Sequence, residues 1–334
     1  MNFLVINLKK YFFTILFLLF TISLLVFSED NLIAAQNGLA LWATTVLPSL
    51  FPFFIATELL CQTNFTYILG NFLNPIMKPL FNVPGESAIA IILGTISGYP
   101  VGAKVICNLK ENKIISKIEA ERLIAYTNNS GPLFILATVG ISLFGNKKIG
   151  TILLISHILS SLLVGYFFRF WKKDKLEANF IENKFNSKQS PIKLSAIGEI
   201  LGDSIKKSIS TILSIGGFIV LFSVILNILE NSGILIVLTS ILEKFGISKL
   251  ISTSILTGII ELTNGVSLSC GLYTIFPLFS ILLTSFLLGI GGISVLLQVY
   301  SIISKQNISI KTYIYGKLLQ GILSVIFTAS LLFM

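Results

Sequence analysis

A chain of 334 residues that is 54% hydrophobic and only 12% charged, with a mean hydropathy of +0.90, lacks the surface of a soluble protein. Soluble domains carry about 25% charged residues, so the bilayer is the expected solvent for much of this one. The net charge of +9 sits in loops between apolar spans, which reads as cytoplasm-facing loops and argues against a nucleic-acid role.

Lys9 and Lys10 precede an apolar run from Tyr11 to Ser28. At about 18 residues it can cross a hydrocarbon core of ~30 Å, and no small-x-small cleavage pattern precedes Glu29 and Asp30. It is expected to be a retained first helix, residues 1–30, with its N-terminus inside.

Residues 31–169 then form a first repeat. An amphipathic stretch, Asn31 to Thr45, leads to a span from Val46 to Leu60 opened by Pro48 and Pro52. After the less apolar Thr63 to Pro84, a span from Ser87 to Ile106 is interrupted at Ser97, Gly98, Tyr99 and Pro100. A polar stretch leads to a second interruption at Asn128, Asn129, Ser130 and Gly131, followed by Pro132. Gly150 to Phe170 is a plain span. Residues 170–193 are a basic linker, expected in the cytoplasm.

Residues 194–334 repeat the order. A span at Ile212 to Leu229 precedes an amphipathic Gly233 to Phe245. Leu250 to Leu268 is interrupted at Glu261, Leu262, Thr263, Asn264 and Gly265, and Leu272 to Ile303 at Gly289 to Gly292. Tyr313 to Leu332 closes the chain. Counting crossings from an inside N-terminus makes the two repeats inverted, with Lys147 and Lys148 as the one discordance.

The expected fold is therefore an all-α polytopic membrane protein of two inverted repeats, with re-entrant hairpins and broken transmembrane helices. Interruptions at matching places in inverted halves point to the solute site of a secondary transporter, because unpaired backbone groups in hydrocarbon are tolerated only where buried or wet. Half-helix starts attract anions. Pro100 suits the first position of such a half-helix, and Ser130 reads as a cap ahead of Pro132. The plainer alternative is that these glycines and prolines are ordinary kinks and close-packing points.

Glu261, deep in an apolar segment, is a candidate for binding a proton, a coupling cation or the solute, or for a structural hydrogen bond to a break in a facing helix. Lys104 could meet a solute carboxylate or snorkel to the inner interface. Glu58 lies near enough to its span's end to reach the interface, and His157 suits an interhelical hydrogen bond more than a proton relay. Glu119, Glu121 and Arg122 read as a solvated helix start.

Cys61, Cys107 and Cys270 share no metal-ligand spacing, and His157 is the only histidine. No metal or cofactor is expected. Ser–His–Asp, His-Glu-x-x-His and Walker patterns are missing from the sequence, and Asp30, Asp174 and Asp203 lie outside the spans, so an enzyme is not expected.

Leu47-Pro48-Ser49-Leu50-Phe51-Pro52-Phe53, Ser97-Gly98-Tyr99-Pro100-Val101-Gly102-Ala103-Lys104, and Glu119-Ala120-Glu121-Arg122 followed by Asn128-Asn129-Ser130-Gly131-Pro132 resemble the YlbJ-type sporulation integral membrane proteins. These belong to the wider family with nucleoside-recognition, or Gate, domains. The resemblance covers most of the chain after the first helix and is looser in the second half, at Glu261 to Gly265. It implies a role in endospore formation: passage of dipicolinic acid from the mother cell across the outer forespore membrane. A nucleoside or other solute carrier, and a membrane scaffold that transports nothing, are the alternatives. The implied partners are a small anionic solute and the lipid bilayer, with a homo-oligomer left open.

Overall fold

The computed structural model describes residues 2–63, 65–172 and 197–333. Most of the expected basic linker lies outside these residues. All regular elements among the described residues are helical.

Helix α1 (Asn2–Val26) meets α2 (Ser28–Leu41) at a bend of 100°. Glu29 and Asp30 occupy the first turn of α2, where the positive helix end favours carboxylates. α2 continues through a π turn, Trp42–Val46, into α3 (Leu47–Cys61). The sequence suggested a separate span opened by Pro48, and the difference has a local cause. A proline ring crowds the carbonyl four residues earlier. Here the backbone widens, with the Leu47 N–H bonded to the Trp42 carbonyl, and the helix runs on.

Next come α4 (Phe65–Phe81), a 90° bend, α5 (Ala88–Ile96), α6 (Val101–Glu111) and α7 (Lys117–Ile124). A ten-residue π helix, Phe134–Leu143, and α8 (Lys147–Phe168) complete this half. The second half contains α9 (Ile197–Asn231), α10 (Ile234–Glu243), α11 (Lys249–Ile260), α12 (Leu262–Gly271), α13 (Pro277–Ile290), α14 (Gly292–Ile303) and α15 (Ile310–Leu332).

Four segments are long and apolar enough to cross a membrane: Lys147–Phe168, Ile197–Asn231, Pro277–Gln306 and Ile310–Leu332. Two bent pairs meet the same test, Tyr11–Val26 with Ser28–Val46 and Ile68–Phe81 with Gly85–Ile96. The protein is an all-α polytopic membrane protein. Phe12, Phe13 and Phe17 on α1 and Ile322 and Ile326 on α15 are exposed, as lipid-facing side chains should be.

The run α2–α3 lies against α9 along its length. Asn227 Nδ2 donates to Asn31 Oδ1 (2.9 Å), Trp42 Nε1 to the Ile212 carbonyl (3.0 Å) and Gln62 Nε2 to Ser204 Oγ (2.9 Å). Numbers rise on one helix as they fall on the other, so the two are antiparallel.

α5 and α6 fold back on each other as a hairpin, and α11 and α12 form a second. Each closes on a glycine pair. A Cβ on Gly94 would stand 2.9 Å from the Gly102 Cα, and one on Gly265 would overlap the Gly258 backbone. Backbone-to-backbone contact of this kind is the packing that small residues permit in membranes.

Two apolar clusters fill the interior, one around Ile89, Ile106, Leu123 and Ile215, the other around Val139, Leu153, Val266 and Leu287. Tyr99 packs against both. It stands at the junction of the core.

Candidate functional site

The first interruption leaves α5 at Ser97, turns at Gly98 (φ +79°), passes a cis bond between Tyr99 and Pro100, and starts α6 at Val101. Pro100 is thus the residue before the half-helix, one position earlier than expected. The segment 128–131 lies directly against this turn: a side chain on Gly98 would come 3.0 Å from the Gly131 nitrogen. Between them Ser130 Oγ donates to Tyr99 Oη at 3.2 Å. This corrects the reading of Ser130 as a helix cap, since its hydroxyl is turned to Tyr99 and not to the following helix. Ser130 contributes its backbone N–H to His157 Nε2 (3.2 Å). His157 is buried, and its ring bonds the 128–131 break and not a neighbouring helix, which corrects the interhelical bond expected of it.

In the second half, α11 ends and α12 begins at Glu261, which is 4% exposed. Its two carboxylate oxygens accept from the backbone N–H groups of Thr263 (3.0 Å) and Asn264 (2.8 Å). Glu261 therefore caps the start of its own half-helix, where the helix dipole favours negative charge. The interruption between α13 and α14 turns at Gly291 and Gly292, both at positive φ. A side chain on Gly292 would come 2.9 Å from the Gly258 carbonyl, so this break packs on the Glu261 break as the first two pack on each other.

Two tyrosines join the pairs. Tyr99 Oη accepts from Ser130 within the first pair. Tyr313 Oη receives the Asn128 side-chain amide at 3.4 Å and lies 3.9 Å from where a Gly291 side chain would begin. The four interruptions share one interior neighbourhood. Ser97, Gly98, Asn128, Asn129, Ser130 and Glu261 are buried there, while Thr263 and Asn264 are half-buried.

Lys104 is placed elsewhere. Its ammonium pairs with Glu58 and donates to Thr211 Oγ1 at 2.9 Å. In this structure its positive charge is thus matched by a carboxylate, and its side chain is partly exposed. Glu58, expected near the interface, is 4% exposed, with Lys207 4.0 Å away. This cluster touches the first turn through Thr57, whose hydroxyl is 3.1 Å from that of Ser97.

The expected solvated start at Glu119 to Arg122 also proves different. Glu119 makes a capping box with Ser116, but Glu121 and Arg122 are fully buried. Glu121 Oε2 accepts from Lys172 Nζ (2.7 Å) and Trp171 Nε1 (3.1 Å). Arg122 donates to the Asn82 carbonyl (2.8 Å) and the Trp171 carbonyl (3.0 Å). The pair ties the ends of α4 and α8 to α7.

Sequence reasoning missed Tyr313, Lys317 and Gln320 on α15. Lys317 is 5% exposed and Gln320 fully buried. Lys317 Nζ bonds Gln320 Oε1 (2.7 Å) and Asn129 Oδ1 (3.3 Å), and Gln320 Nε2 donates to Asn129 Oδ1 (2.9 Å). An ionisable residue within an apolar span is itself the signal that could have found it.

Over 93% of its length the chain is 34% identical to the sporulation integral membrane protein YlbJ of Bacillus subtilis (strain 168), covering 80% of that protein. The chain belongs to the YlbJ family. Residues 43–147 also match the family model Gate, described as nucleoside recognition, and no solved structure matches. In this YlbJ-family protein the Gate match spans both first-half interruptions. Glu261, Tyr313 and Lys317 come from beyond it.

Proposed function

We propose that this YlbJ-family protein carries a small organic anion, with dipicolinic acid first among the candidates, from the mother cell towards the forespore across the outer forespore membrane, moving its solute without transforming it. The supporting observation is the meeting of four helix interruptions, two from each half, around Tyr99 and Tyr313. Broken backbone in a bilayer is tolerated where it is buried in protein or lines a cavity, and carriers place their solute sites at such breaks. The antiparallel course of α2–α3 and α9 fits two halves of opposite orientation, the build that lets one site face each side in turn. The family relation supports the sporulation setting, and a planar dianion suits a polar neighbourhood that contains a buried lysine.

The test is flux. Reconstituted protein should take up labelled dipicolinate, and Glu261→Gln and Asn129→Ala variants that insert normally should lose about tenfold or more of it, a change of ~1.4 kcal/mol. Unchanged uptake in both would dispose of the site. No flux from the intact protein, combined with loss of spore maturation on its deletion, would favour a scaffold. The Gate match at 43–147 supports a second reading, a nucleoside carrier; uridine or adenosine would then compete for uptake.

A further inference from the structure

The positive features near the interruptions are mostly matched already. The start of α12 is capped by Glu261, Lys104 pairs with Glu58, and the Ser130 N–H is taken by His157. Lys317 differs. Among the described residues no carboxylate lies within ion-pair distance of its Nζ, whose bonded acceptors are two neutral amide oxygens. It also sits 5.8 Å from the Tyr313 ring centre. A buried ion without a countercharge is costly, and such a residue needs an account.

We infer that Lys317, held between Asn129 and Gln320, is the fixed countercharge for a carboxylate group of the transported solute. The inference rests on the transport reading above and names the residue that selects the solute's charge. Three details support it. An ammonium has three donors, and the two bonds formed leave one uncommitted. The bond to Asn129 is the longer, and Asn129 Oδ1 keeps the Gln320 amide as a donor if Lys317 turns to an incoming anion. A second donor stands in the same cluster. Because His157 Nε2 accepts from Ser130, the neutral ring carries its hydrogen on Nδ1, and Nδ1 is buried with no acceptor. The His157 carbonyl takes a bond from Gln320 at 3.4 Å, which ties the ring's residue to the lysine's helix. The cluster therefore holds two uncommitted donors, and a carboxylate has two acceptor oxygens.

The experiment is calorimetric titration of the full-length protein in lipid nanodiscs with pyridine-2,6-dicarboxylate and with its neutral dicarboxamide. The intact protein should prefer the dianion by about tenfold or more. Lys317→Met and Lys317→Gln should bind both compounds alike, and Lys317→Arg should keep part of the preference. Equal binding of the two compounds by the intact protein, or an undiminished preference in a folded Lys317→Met, overturns the inference alone. If the substituted proteins fail to insert, the intact protein's preference decides by itself. Binding of neither compound by the intact protein ends the transport reading, and the inference with it.

Discussion

The Ser130 hydroxyl donates to the Tyr99 hydroxyl across 3.2 Å, and this bond joins the turn between α5 and α6 to the 128–131 break. Net contributions of such bonds are about 0.5–1.5 kcal/mol. Tyr99→Phe and Ser130→Ala should each lower thermal stability by about that amount, and the double variant should cost little more than either. A double-mutant cycle on detergent-solubilised protein measures this. Fully additive losses would mean that the hydroxyls act separately.

The hairpins make a sharper prediction. Gly258 and Gly265 bring two helix backbones into contact, so Gly265→Ala must push α11 and α12 apart. Overpacking typically costs about 1–3 kcal/mol. Gly217 on α9 has nothing within 4 Å of its would-be Cβ, and alanine is the better helix former by about 0.5–1 kcal/mol. Unfolding temperatures should fall for Gly265→Ala and hold or rise for Gly217→Ala. Similar behaviour of the two would remove the close approach as the reason for glycine at 265.

The interruptions were legible from the sequence because Gly, Pro and Asn within an apolar run leave a helix few ways to continue. Ser97 to Pro100, Glu261 and Gly291 all turn where that chemistry says they should. What sequence reasoning misread depended on partners distant along the chain. Arg122 looks like a surface residue of a polar helix, yet it bonds carbonyls 40 and 49 residues away. Pro48 suggests a helix start, but one π turn absorbs it. Lys317 follows Lys311 by less than two turns and passes for a charge near the end of a span. Its partners become evident once α15 is packed against α8 and α13.

Arg122 should not tolerate a change to lysine. Its planar fork reaches two carbonyls, on Asn82 and Trp171, that a single ammonium cannot serve in the same geometry. Hydrogen bonds from charged groups are worth about 1.5–3 kcal/mol each, so Arg122→Lys should lose about one such bond and Arg122→Met both. Limited proteolysis after residue 172 should accelerate in that order, because the end of α8 is held by these contacts and by Glu121. Equal cleavage of all three proteins would show that the pair does not secure this end.

The Glu58–Lys104 pair separates a structural role for Lys104 from a role in solute binding. Removing one member of a buried ion pair leaves an unmatched charge, at a cost of about 3–5 kcal/mol in fully buried cases. Lys207 stands 4.0 Å from Glu58 and Lys104 is partly exposed, which reduces the expected loss to about 1–3 kcal/mol. Lys104→Met should therefore destabilise the protein and lower dipicolinate flux, and adding Glu58→Gln should restore both by removing the stranded carboxylate. If Lys104 met the solute directly, the double variant would be stable yet still slow. Flux and unfolding temperature measured together on the two single variants and the double distinguish these outcomes, and recovery of both quantities is the result the geometry predicts.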